Sequence, residues 1–279
     1  MAQELSRTKK RIESISSTLK ITKAMELVAT AKLKKWKDKM ENSILYLSQM
    51  QNIISLCLSG VEQDEIPELK QYKSDSTLYV VVTSSLGLCG GYNYNIFKFL
   101  NNRINKNDKF LTVGTKGLVK LSSLETNVDN NYVDLLDHFS YSSVDNLKNY
   151  IINEYSTGKY KEVKLVVTTY KNSLTFIPKE FTILPLQNIE SNGSLNEPIF
   201  EPNKQELFTL LIPKYLSTLL YGKLTEAIVC EHASRRNSMD NASDNAEELQ
   251  EKLLLEFNKA RQQAITQEIT EVVSGASNV

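Results

Sequence analysis

Few residues in this 279-residue chain have the types and spacing for chemistry. Gly87-Leu-Cys-Gly-Gly91 follows an apolar run, where a glycine loop can hold a phosphate against a helix N-terminus. Its spacing is neither GxGxxG nor GxxxxGKS/T, and no lysine follows to reach a phosphate. The loop therefore reads as a structural turn at Gly87, Gly90 and Gly91. The two histidines, His138 and His232, lie far apart, with no serine, cysteine or metal-ligand constellation beside either. Cys57, Cys89 and Cys230 form no CxxC pair and predict free thiols in a reducing compartment. Cys89 precedes a predicted helix, where a thiol pKa can fall, yet no partner for a reactive thiol is identifiable. No catalytic residue, cofactor or metal is expected.

The elements that carry these residues are dominated by the two ends of the chain. Residues 231–279 contain no proline and no glycine before Gly275. Ala242, Ala246, Leu249, Leu253, Phe257, Ala260 and Ala264 recur in steps of three and four, a narrow seam of coiled-coil type. The apolar positions then move to Ile265, Ile269, Val272 and Ala276, a rotated face that predicts a different neighbour. The other end offers a partner in Leu5, Ile12, Ile15, Leu19, Met25, Val28, Leu33, Trp36, Met40, Ile44 and Leu47. That helix runs from about residue 4 to residues 53–58, on the order of 80 Å at ~1.5 Å per residue. Gly60 and the acidic residues up to Glu68, with Pro67, end it.

The ends also match in charge. Residues 1–40 carry eleven Lys/Arg against four Asp/Glu, and residues 231–279 carry five against nine, which favours the helices lying side by side. Over the whole chain the two signs balance at 33 each, so a generic nucleic-acid binder is excluded. Lys32, Lys34, Lys35, Lys37 and Lys39 beside a regular seam read as a solvated face. No stretch is long and apolar enough to span a bilayer, and the first residues lack a signal-peptide core. The expectation is a soluble cytoplasmic protein with no direct membrane insertion.

Between the ends the hydrophobic period changes. Residues 78–83 form a continuous apolar and β-branched run, a strand buried on both faces, followed by the glycine loop and a helix over 92–104. Residues 110–113 predict a strand, 116–124 and 144–155 helices, and 163–169 a third strand. This alternation predicts a small parallel sheet with helices on its faces. Residues 176–186 add an edge strand interrupted by Pro178, and the polar residues 187–203 lead out of the sheet. Leu207, Leu211, Tyr215, Leu219, Leu224 and Ile228 then restart a helical period, with Pro213 predicting either a kink or a helix start nearby. The domain organisation is a coiled-coil helix over 1–60, an α/β insert over 75–190 and a coiled-coil helix over 205–279. An insert that enters and leaves at one end makes the two helices antiparallel.

The residues 21–29, ITKAMELVA, with MDNASDNA at 239–246, NKARQ at 258–262 and AITQEI at 264–269, resemble the gamma subunit of the rotary F-type (F1) ATP synthase. The glycine loop is close to that family's pattern as well. The resemblance implies an α+α/β fold: a long antiparallel coiled coil of N- and C-terminal helices with an inserted small Rossmann-like domain. It implies a non-catalytic central-stalk rotor inside an α3β3 ring of nucleotide-binding subunits, coupling ATP synthesis or hydrolysis to rotation and proton transport. The epsilon subunit and the membrane c-ring would meet the base, and the complex would hold the chain at the cytoplasmic face of the membrane. Contacts with the β-type subunits would fall on Lys23, Met25, Arg261, Gln262 and Thr266, with Lys23 and Met25 beside the other three. Ile265, Ile269, Val272 and Val273 would form a bearing tip.

Without the resemblance, Arg261 reads as a solvated helix charge. Ser85 and Leu86 replace an acid and a base expected before Gly87, and Pro213 has no expected counterpart. A diverged paralogue, the axle of an F1-like ATPase driving a partner other than a c-ring, is the alternative. A coiled-coil scaffold would instead form a symmetric homo-oligomer, and an α/β enzyme would bind a small molecule at the glycine loop.

Overall fold

The computed structural model describes residues 2–58, 68–101, 103–105, 107–124, 126–186, 201 and 204–276. The expected helix breaks at Gly60 and Pro67, and the linker over 187–203 apart from Glu201, lie outside the described residues. The elements in order are α1 (Ala2–Leu58), β1 (Thr77–Val82), α2 (Tyr92–Leu100), β2 (Lys109–Val113), α3 (Thr115–Ser122) and β3 (Asn127–Asp129). They are followed by α4 (Tyr141–Ser156), β4 (Glu162–Tyr170), β5 (Phe176–Leu184) and α5 (Lys204–Ala276). The chain divides into two compact units, one formed by Met1–Thr30 with Arg235–Val279 and the other by Ala31–Ser234.

In the larger unit the sheet order is β3-β2-β1-β4-β5. β1, β2, β3 and β4 pair in parallel, and β5 pairs antiparallel to β4. Every residue of β1 is buried because both sheet faces are covered. On one face Leu78, Val80 and Val82 meet Val144, Leu147 and Ile151 of α4, together with Met50, Ile54, Ile212, Leu216, Leu220 and Leu224 of the long helices. On the other, Tyr79 and Val81 meet Tyr92, Ile96 and Leu100 of α2 and Leu121 of α3. Gly114 is fixed by backbone approach: its φ is 98°, and a Cβ there would lie 2.2 Å from the Thr83 carbonyl oxygen. Pro178 is tolerated because β5 is an edge strand.

The long helices run antiparallel in this unit. Leu33 and Met40 of α1 pack with Ala233 and Val229 of α5, while Gln51 further along α1 reaches back to the Tyr215 hydroxyl at 3.5 Å. The α1 positions turned inward are Leu33, Trp36, Met40, Ser43, Leu47, Met50 and Ile54, alternating steps of three and four. Ile44, expected in the seam, is 54% exposed, and Ser43 takes its place. α5 begins at Lys204 and continues through Pro213, so of the two alternatives, a kink or a helix start nearby, the start is not found. A proline inside a helix costs ~3 kcal/mol or more. Burial of Ile212, Tyr215 and Leu216 on the sheet offsets that cost.

In the smaller unit the same stepping holds. Leu5, Thr8, Ile12, Ile15, Leu19, Thr22, Glu26 and Ala29 of α1 are buried or half-buried, as are Met239, Ser243, Ala246, Gln250, Leu253, Phe257, Ala260 and Ala264 of α5. Val28 and Leu249, both expected in the seam, are exposed. Thr22 and Ser243 meet instead, the Ser243 hydroxyl donating to Thr22 Oγ1 at 2.7 Å.

Candidate functional site

The glycine loop closes on itself. Asn93 of α2 accepts from the Ser84 N–H at 3.0 Å and donates to Ser84 Oγ at 2.7 Å and to Cys89 Sγ at 3.4 Å. Ser84 Oγ donates to the Leu86 carbonyl at 2.7 Å, and the Tyr92 N–H at the start of α2 donates to the Cys89 carbonyl. The left-handed conformation falls on Gly90, at φ 54°, and on Leu88, at φ 60°. Gly87 and Gly91 keep ordinary φ values, and a Cβ at either would make only van der Waals contact, with Lys116 and Asn95.

In a sheet of this order a ligand crevice is expected outside the C-terminal ends of β1 and β4, where the strand order reverses. α5 fills it. Ala227 packs into the cluster on one sheet face and Cys230 into the cluster on the other, each almost fully buried. Ser234 Oγ donates to the Cys89 carbonyl at 2.7 Å, the Tyr92 hydroxyl to the Ala227 carbonyl at 3.4 Å, and the Tyr170 N–H to Glu226 Oε1 at 2.9 Å. Burial pushes the Cys230 thiol and the Tyr92 phenol up, so both stay neutral at physiological pH. Nothing in the sequence marks this plug, since Glu226 and Ser234 read as ordinary helix residues.

The free end of α5 is arranged differently. Its inward positions end at Ala264, after which every described side chain is exposed, including Ile265, Ile269, Val272 and Val273. Arg261, Gln262 and Thr266 are exposed too. Thr266 Oγ1 donates to the Gln262 carbonyl at 2.9 Å, and Lys259, Gln262, Gln263, Thr266, Gln267 and Thr270 share one polar side of the helix. At ~100° per residue Arg261 and Gln262 point about a quarter-turn apart, on either side of Ile265. Both border the apolar side of the helix, and Gln262 also shares the polar side with Thr266.

Lys23 and Met25 are not beside these residues. Lys23 pairs with Glu247, whose hydrogen bond raises the lysine's pKa, and Met25 is half-buried in the same unit. Glu247 lies fourteen residues before Arg261 on α5, on the order of 21 Å along the helix. The expected contact residues therefore stand at two levels. Antiparallel stepping explains this, since the start of α1 lies opposite the stretch of α5 just before its exposed tip.

Among the described residues no group of three or more His, Cys, Asp or Glu could hold a metal ion, and no helix is long and apolar enough to cross a membrane. The sequence model of the ATP synthase family matches residues 4–279. The ATP synthase gamma chain of Mycoplasma capricolum is 34% identical over 275 residues, and that of Malacoplasma penetrans is 38% identical over 284, each match covering 98% of both chains. A chain in the cryo-EM structure of the Euglena gracilis mitochondrial ATP synthase rotor is 17% identical and shares the fold with a TM-score of 0.66, over 95% of this chain and all of that one. One from the central stalk/c-ring of the Tetrahymena thermophila mitochondrial ATP synthase is 24% identical, with a TM-score of 0.58 over 80% of this chain and 99% of that one. With a sequence match over almost its whole length and relatives of this identity, the chain belongs to the ATP synthase gamma chain family.

Proposed function

We propose that this chain is the central-stalk rotor of an F1-type ATP synthase or ATPase and performs no bond chemistry itself. Its partners are α- and β-type nucleotide-binding subunits, with the epsilon subunit and the membrane c-ring at the base, and it is held at the cytoplasmic face of the membrane through them. A shaft with different side chains on each side biases the surrounding nucleotide sites differently as it turns, a population shift imposed mechanically. The observation that carries this reading is the bare end of α5. Ile265, Ile269, Val272 and Val273 are 48–72% exposed on a helix that has left its partner, a surface suited to an apolar sleeve. The plugged crevice supports a non-catalytic role.

Arg261 and Gln262 engage the β-type subunits and pass torque, Thr266 borders the same contact, and the apolar tip holds the axle in its bearing. Lys23 and Met25 face the ring at a lower level. A hydrogen bond to a charged group inside the ring is worth about 1.5–3 kcal/mol. Reconstitution with the α- and β-type partners tests the assignment. Arg261→Ala with Gln262→Ala should slow ATP hydrolysis, whereas removal of the residues from Ser274 onward should leave assembly and much of the hydrolysis intact. Unmodified hydrolysis in the double variant, with a stopped motor in the truncation, would transfer the role to the tip.

A further inference from the structure

We propose that the crevice at the C-terminal ends of β1 and β4 is a socket for the chain's own α5, and that three hydrogen bonds closing it carry torque between α5 and the inserted sheet. The proposal rests on the rotor reading. Apolar contact alone is non-directional and permits a helix to roll. Here α5 is wedged: Ala227 touches the cluster on one face of the sheet and Cys230, three residues on, the cluster on the other. Rolling in either sense drives one of these side chains into a close-packed wall.

The hydrogen bonds add direction. Each ties α5 to a different element: the glycine loop through the Cys89 carbonyl, α2 through Tyr92, and the end of β4 through the Tyr170 N–H. The loop is stiffened in turn by Asn93 and Ser84, so a pull on Ser234 reaches β1 and α2 rather than being absorbed. A fold whose crevice commonly takes a ligand thus uses it to grip a shaft.

The test is the double variant Ser234→Ala with Glu226→Ala, which removes two of the bonds while raising helix propensity. In the full-length chain, hydrogen exchange should quicken at least tenfold at the amides of residues 84–93 and of Tyr170, and stay unchanged in α4. In the complex with α- and β-type subunits, a bead on α3 through Lys120→Cys should report torsional stiffness at least twofold lower, with ATP hydrolysis unchanged. Unchanged exchange or unchanged stiffness would overturn the socket as the coupling. A bead that fails to turn with the otherwise native chain while ATP is hydrolysed would overturn the rotor reading, and the torque claim with it, whatever the exchange data give.

Discussion

Lys109→Met removes the centre of a charge network that joins β2, β3 and α4. Lys109 Nζ lies 3.1 Å from Asp129 Oδ2, 3.2 Å from Glu154 Oε2 and 3.2 Å from the Tyr150 hydroxyl, which itself donates to Asp129. The side chains of Lys109, Asp129 and Glu154 are 17%, 10% and 24% exposed, so the substitution leaves two carboxylates poorly solvated, with no cation paired to them among the described residues. Removing one partner of a fully buried pair costs ~3–5 kcal/mol, and residual exposure reduces this to about 2–4 kcal/mol. For the acid limb, burial pushes Asp129 up, but hydrogen bonds from Tyr150, the Asn131 N–H and Lys109 outweigh it and hold its pKa below 3.8. A lowered carboxylate pKa contributes stability that is present above its unfolded value and lost as pH falls through the folded one. For the basic limb, burial lowers Lys109, yet its three hydrogen bonds outweigh that and raise it. Its contribution is therefore complete below about pH 10.5 and lost only far above neutrality. Urea unfolding followed by the single tryptophan, Trp36, packed edge-on against Phe139 at 5.5 Å, measures both effects. The variant should be about 2–4 kcal/mol less stable near pH 7, with the gap narrowing as pH falls below 3.8. A gap below about 0.5 kcal/mol near neutrality, or one unchanged on acidification, would refute the network as a stabilising element.

Cysteines placed at Thr22 and Ser243, whose hydroxyls meet at 2.7 Å, should cross-link under mild oxidation. Their failure, with success at a shifted register, would contradict the seam. The purified chain should show no ATP or dinucleotide affinity by calorimetry, because α5 fills the crevice. Micromolar binding that disappears in Gly90→Val would restore the glycine loop as a ligand site.

The strands that read most clearly were those buried on both faces, because a run such as TLYVVV has no other economical home. β3 was invisible, since Asn127-Val-Asp129 carries neither length nor periodicity. The helices were legible as helices but not in their inward face. Val28, Ile44 and Leu249 are apolar yet exposed, while Thr22, Ser43, Ser243 and Gln250 point inward. A strict alternation of three and four carried through Thr8, Thr22, Ala29 and Ser43 would have found the seam; hydrophobicity alone could not. The exposed tip followed from the shift of apolar positions after Ala264. The two levels of Lys23 and Arg261 did not, because register between distant helices is set by packing. The plug of the crevice was beyond sequence reading for the same reason, being made of Ala227, Cys230 and Ser234, ordinary residues whose role lies in where α5 crosses the sheet.

A rotor works as a single axle within a ring of other subunits. Native mass spectrometry of the complex captured from its own cell through a tag on this chain counts its copies. One copy of the chain with three α-type and three β-type subunits is expected. A symmetric homo-oligomer of the chain, or several copies for each ring, would contradict it.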